Sequence, residues 1–123
     1  MPKQILNEIY DKAKETGRLE LVLAIIDTET NFNPYVTSTK DAWGLMQVRP
    51  IDWESTLKNK NIIKDKRELF LIENNIKAGF FVFQEYYKQT SDVEKALIKY
   101  VGGDSTYALK VLQTLGSLYL LKQ

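Results

Sequence analysis

The run Leu21-Val22-Leu23-Ala24-Ile25-Ile26 is the longest uninterrupted apolar stretch in the chain, and it leaves a helix no side that could face water. Sitting behind Arg18 and Glu20, it is too short for a membrane span or a signal-peptide core. The rest of the protein must therefore cover it. The pattern predicts a buried central helix over Leu19 to about Glu29, around which every other element is arranged. A chain of 123 residues, 44% of them hydrophobic, can build that core as a single domain spanning residues 1–123.

The flanking segments supply the covering faces. Ile5, Leu6, Ile9, Tyr10 and Ala13 form the stripe of an amphipathic helix from Pro2 to Thr16, which Gly17 is placed to end. Asn31 to Asp41 is rich in Asn, Thr and Ser with Pro34, a composition that favours local side chain to backbone bonding and predicts a loop. Ala42 to Lys58 reads as one or two short helices broken near Arg49 and Pro50, because a residue before proline is pushed from helical angles. Lys58 to Arg67 mixes cations with Asn and Asp; it is either a basic rim for an anionic partner or, as the mixture favours, a solvated connector. Ile72, Ile76, Phe80, Phe83 and Tyr87 predict a long helix over Glu68 to Tyr87. Gly79 lies inside it at a cost of about 1 kcal/mol against alanine, which predicts close approach by another backbone.

Ser91 and Glu94 have the spacing of a capping box, opening a helix that buries Val93, Ala96, Leu97 and Tyr100 and ends at Gly102 and Gly103. Asp104 or Ser105 can cap the last helix, whose stripe is Ala108, Val111, Leu112, Leu115 and Tyr119. With no convincing run of alternating strand residues, the expected class is all-α with at most a vestigial β-hairpin.

Composition then limits the chemistry. There is no His and no Cys, so a Ser/His/Asp triad, a Cys nucleophile, a disulfide and a thiolate or imidazole zinc site are excluded. Acid and base work falls to Asp, Glu, Lys or Tyr, and no metal site is expected. With 17 basic residues against 16 acidic ones, nothing in the overall charge draws the chain to a nucleic acid or an acidic membrane. Glu29 is the best-placed acid, at the C-terminal end of the most apolar helix beside a hydrogen-bonding loop. Partial desolvation there would raise its pKa and keep it protonated as a general acid; the bland alternative is a carboxylate on a solvated face.

The residues around Glu29 extend this reading. Glu29-Thr30-Asn31-Phe32-Asn33-Pro34, then Ser38, then Ala42-Trp43-Gly44-Leu45-Met46-Gln47 and Pro50 resemble the lytic transglycosylase pattern E-S-x-F-N-P-x-A-x-S, G-A-x-G-L-M-Q and a following proline. Asn75-Ile76 with Gly79, and Ala96-Leu97-x-x-Tyr100-x-x-Gly103, resemble its later blocks. Tyr107 and Val111 match a weaker closing pattern. The resemblance implies a lysozyme-like helical fold with an SLT-type catalytic domain, and Glu29 as the catalytic acid. It also implies substrate-binding roles for Ser38, Met46 and Gln47, with Tyr100 orienting the acid. Thr30 keeps the hydroxyl of the family Ser, Asp41 replaces a Gly whose turn calls for a left-handed conformation, and Val101 and Gly102 replace Asn and Ala.

The implied activity is cleavage of the β-1,4 bond between N-acetylmuramic acid and N-acetylglucosamine in peptidoglycan, with 1,6-anhydromuramic ends and no cofactor. Two rivals stay open: a goose-type-like muramidase with Asp41 as its water-activating base, and a catalytically silent peptidoglycan-binding or scaffold domain. The expected partners are glycan strands, met as a monomer in the periplasm or cell envelope without membrane insertion. No signal peptide is visible, so the export route is open; small size also suits a component of a phage tail or secretion apparatus.

Overall fold

Apolar stripes become helices in the order the periodicity predicts. The computed structural model describes residues 2–121; Met1, Lys122 and Gln123, at the ends of the expected domain, lie outside the described residues. Helix α1 spans Lys3–Glu15 and α2 Leu19–Thr30. A tight turn at Gly17, φ 78°, separates them. Only Ile9 and Ala13 of the α1 stripe are buried, while Leu6 and Tyr10 stay exposed. In α2 Leu21, Val22, Ala24, Ile25 and Ile26 are buried and Leu23 packs half-buried against them, as expected for the central helix.

Four further helices follow: α3 (Pro50–Asn59), α4 (Ile72–Thr90), α5 (Val93–Tyr100) and α6 (Ser105–Leu121). α4 runs between two apolar clusters. One gathers α2 with Ile9, Leu45, Met46, Ile76, Phe83, Leu97 and Val111; the other joins Val48, Leu57, Ile63, Leu69, Ala78 and Val82. α6 covers α2, α5 lies on α4 and α6, and α1 touches both α2 and α4. The result is the expected all-α class. Its vestigial hairpin consists of two antiparallel bridges, Thr37 with Trp43 and Trp43 with Val48. Among the described residues no helix is long and apolar enough to cross a membrane.

Four local expectations are corrected. Ala42 to Arg49 is not helical: Asp41, Gly44 and Gln47 have φ of 59°, 77° and 54°, and three left-handed residues so close together preclude a helix. Helix α3 starts at Pro50, whose missing N–H costs nothing in the first turn. The α4 helix begins later than expected, since Glu68 to Phe70 belong to a short 3-10 helix, Lys66–Phe70, which starts at the end of the supposed connector and is capped reciprocally by Asp65 and Glu68. Ser91 is no capping-box residue; it closes α4 in a left-handed conformation, and the Asp92 side chain caps α5 by accepting from the Lys95 N–H. Finally, what approaches Gly79 is the Met46 side chain, whose Cβ would lie 2.6 Å from a Cβ added there. At the start of α6, the open choice resolves to Asp104, which accepts from the Thr106 N–H at 2.9 Å.

The irregular turn Gly44 to Gln47 is held to α4 by one side chain. Buried Asn75 accepts from the Met46 N–H at 2.8 Å and donates to the carbonyls of Trp43 at 2.9 Å and Leu69 at 2.7 Å. Gly44 is required opposite it, because any Cβ would strike the Asn75 amide and the Leu69 carbonyl. Asn75→Ala removes three bonds and strands their backbone partners, so it should cost between about 3 and 5 kcal/mol. Urea unfolding measures this; a loss below about 1 kcal/mol would contradict the role of the clamp.

Candidate active site

Glu29 occupies the last turn of α2, one residue before Thr30 closes the helix. The apolar residues that drive α2 into the core carry its carboxyl partly out of water. Burial raises the Glu29 pKa from 4.5 to about 7. The helix terminus acts in the same direction, since C-terminal carbonyls disfavour a nearby negative charge. At neutral pH the carboxyl is therefore protonated in a large fraction of molecules, the state a general acid needs.

Glu29, Ser38, Gln47 and Tyr100 line one groove of about 480 Å³. Segments far apart in the chain thus meet around one acid. Ser38 orders its own loop: its Oγ accepts from the N–H groups of Lys40 and Ala42, both at 3.2 Å. Gln47 uses its Nε2 to donate to the carbonyls of Val36 at 3.0 Å and Gly44 at 2.9 Å, which leaves Oε1 as the group it can offer a ligand. Tyr100 donates its hydroxyl to the Met46 carbonyl at 2.6 Å. Burial first, then the charge of Glu29 and the neighbouring Tyr86, hold its pKa well above the ordinary phenol value. The phenol stays a fixed donor beside the acid.

Two expectations change. Met46 does not line the groove; its side chain is fully buried in the core, wedged against the open face of Gly79, so its contribution is made by its backbone. Tyr100 does not spend its hydrogen on Glu29 but on the turn that carries Gln47. Asp41, the base a hydrolase would require, is outside the groove lining and accepts from the Trp43 Nε1 at 2.9 Å.

The groove also holds residues that sequence reasoning missed. Arg49 and Asp52 enter from the start of α3, Trp53 follows them, and Tyr86 comes from α4. Trp53 and Tyr86 meet edge to face at 5.8 Å. Tyr86 falls one position off the stripe read along α4, and the signal for Arg49 and Asp52 was only their closeness in sequence to Gln47. Among the described residues no group of acidic side chains is arranged to hold a metal ion.

A family model described as the transglycosylase SLT domain matches residues 7–115. Membrane-bound lytic murein transglycosylase C from Yersinia pestis (strain Pestoides F) is 47% identical over 62 residues, and the same holds for that of Yersinia pseudotuberculosis serotype O:1b (strain IP 31758). Each match covers 48% of this chain and 17% of the relative's length. No solved structure is matched.

A buried acid leaves a thermodynamic trace. Between the ordinary value of 4.5 and about 7, the unfolded chain has released a proton that the folded chain keeps, so stability falls as pH rises through this window and is unaffected by Glu29 below it. Glu29→Gln removes the effect. The variant should match the wild type near pH 4 and exceed it by on the order of 2–3 kcal/mol near pH 8. Denaturant unfolding at the two pH values measures the gap; equal stabilities at both would contradict a buried acid.

Proposed function

Because the chain belongs to the transglycosylase SLT domain family, we propose that it acts as a single catalytic domain, residues 1–123, cleaving the β-1,4 bond between N-acetylmuramic acid and N-acetylglucosamine in peptidoglycan. The observation that carries this reading is the desolvated carboxyl of Glu29 in a groove shared with Ser38, Gln47 and Tyr100. The relatives are named for murein and for the membrane, which supports action at the cell envelope. A groove of this size suits a glycan strand met by a monomer.

The mechanism follows from what the groove offers. Protonated Glu29 gives its proton to the leaving glycosidic oxygen, and positive charge develops at the anomeric carbon. The second carboxylate in the groove, Asp52, is engaged with Arg49 at 2.9 Å, so the substrate's own 2-acetamido group is the better stabiliser of that charge. Glu29, now ionised, accepts the proton of the C6 hydroxyl, whose oxygen closes the 1,6-anhydro ring on the anomeric carbon. One carboxyl serves as acid and then as base. No metal or organic cofactor enters these steps. Ser38 and the Gln47 Oε1 are the polar groups for the sugar substituents, and Tyr100 acts as a positioning residue through Met46.

Intramolecular attack is favoured over water for a physical reason. The C6 hydroxyl is already held next to the anomeric carbon, an entropic advantage that free water lacks. A hydrolase would need a positioned base, and the Asp41 side chain is committed to Trp43. A silent binding domain has no use for an acid held at about pH 7, since its burial only lowers stability.

Digestion of purified cell walls tests the reading. Wild-type protein should release products with anhydromuramic ends, lighter by one water than hydrolysed ones on mass spectrometry. Glu29→Gln should lose at least about 10³-fold in rate, and Asp41→Asn should stay near wild type. Reducing ends together with an inactive Asp41→Asn would make the enzyme a muramidase; undiminished activity in Glu29→Gln would remove this acid from the reaction.

A further inference from the structure

The groove is more basic than the chain that forms it. The protein as a whole carries a net charge of +1, yet Lys40, Arg49 and Lys99 all line the groove against Glu29 and Asp52. With Glu29 protonated, Asp52 is the single negative charge facing three positive ones.

Arg49 is the most rigidly placed of the three. Its Nε donates to the Lys40 carbonyl at 2.9 Å and its Nη1 to Asp52 Oδ2 at 2.9 Å. It stands at the N-cap of α3, directly before Pro50, so the backbone under it is also restricted. A guanidinium carries five N–H groups, and these two bonds leave the others for a ligand. Lys99 is steadied by donating to the Gln89 Oε1 at 3.2 Å. A pre-oriented guanidinium fits a carboxylate better than a mobile ammonium does, because less side-chain freedom is lost on binding.

Glycan sugars are neutral except at one place. The muramyl residue bears a lactyl arm that ends either in a free carboxylate or, when amide-linked, in a stem peptide with carboxylates of its own. We infer that Arg49, assisted by Lys40 and Lys99, is a specificity-determining residue that binds a carboxylate carried on the muramyl side of the strand. This inference rests on the glycan-cleaving function proposed above. It gives the groove an electrostatic reason to prefer muramyl strands over neutral N-acetylglucosamine oligomers, and it fixes the register of the strand relative to Glu29.

Calorimetric binding by the full chain tests the inference, in a Glu29→Gln background so that nothing is consumed. Three probes are compared: neutral N-acetylglucosamine oligomers, peptide-free muramyl glycan with free lactyl carboxylates, and peptide-bearing glycan. Adding Arg49→Gln should weaken carboxylate-bearing strands about tenfold and leave neutral oligomers unchanged, with partial recovery in Arg49→Lys and a smaller difference at high salt. Loss on the peptide-free probe alone identifies the lactyl carboxylate as the ligand, loss on the peptide-bearing probe alone identifies the stem peptide, and loss on both identifies a site that takes a carboxylate from either source. Equal loss on the neutral oligomers would overturn the inference, because it would mean Arg49 only braces the loop through Lys40 and Asp52. No loss on any probe would overturn it too. A parent protein that neither binds nor cleaves any of the three would overturn the proposed function itself.

Discussion

A buried stretch of chain that is neither helix nor sheet must find a partner for every backbone polar group it takes out of water, and the turn Gly44 to Gln47 is such a stretch. Its partners are side chains drawn from three helices. Thr30 of α2 donates to the Leu45 carbonyl at 2.9 Å, Asn75 of α4 accepts from the Met46 N–H at 2.8 Å, and Tyr100 of α5 donates to the Met46 carbonyl at 2.6 Å. Each bond satisfies the turn and also docks a helix to it. Since Thr30 is the neighbour of Glu29, the network that anchors the turn sets the end of α2 and with it the position of the acid. Among the described residues no buried side-chain nitrogen or oxygen lacks a partner.

The same arrangement accounts for the acid's strength. A chain without histidine has no side chain that ordinarily titrates near neutrality, so a proton donor has to be made by moving a carboxyl out of water. The apolar length of α2 does this by drawing its last turn against the core, and the polar turn keeps the opposite side open to the groove. Stability above pH 7 is lowered by the same burial that makes the proton available. Tyr100 fits this logic as a phenol kept neutral by burial, which braces the turn without competing for the proton.

Legibility in the sequence followed how local the cause was. The buried character of Leu21 to Ile26 and the stop at Gly102 and Gly103, with φ of 77° and 87°, are local properties and were readable. Asp41, φ 59°, was readable only through the family resemblance, as a residue standing where the pattern has Gly. The rest of that turn was not: Gln47 at φ 54° has no local signature, and Leu45 and Met46 mimic the start of a helical stripe. Ser91 and Asp92 differ too little as caps for spacing to choose between them, and the left-handed closure of α4 decided the matter. Glu29, Ser38, Gln47 and Tyr100 were named from their motifs, yet which bonds Tyr100 and Met46 make depends on packing across 54 positions of chain. Arg49, Asp52, Trp53 and Tyr86 belong to no motif, and only side-chain packing between α3 and α4 brings Tyr86 to the other three.

The central claim is that packing of this turn against the end of α2 holds Glu29 as an acid protonated near neutrality. The most direct test is a titration of its side-chain carboxyl carbon by nuclear magnetic resonance, assigned by comparison with Glu29→Gln. The account predicts a midpoint at about 7, well separated from those of the exposed carboxylates. A midpoint near the ordinary value of 4.5 would contradict it, because a carboxyl that ionises there is solvated and has no proton to give at neutral pH.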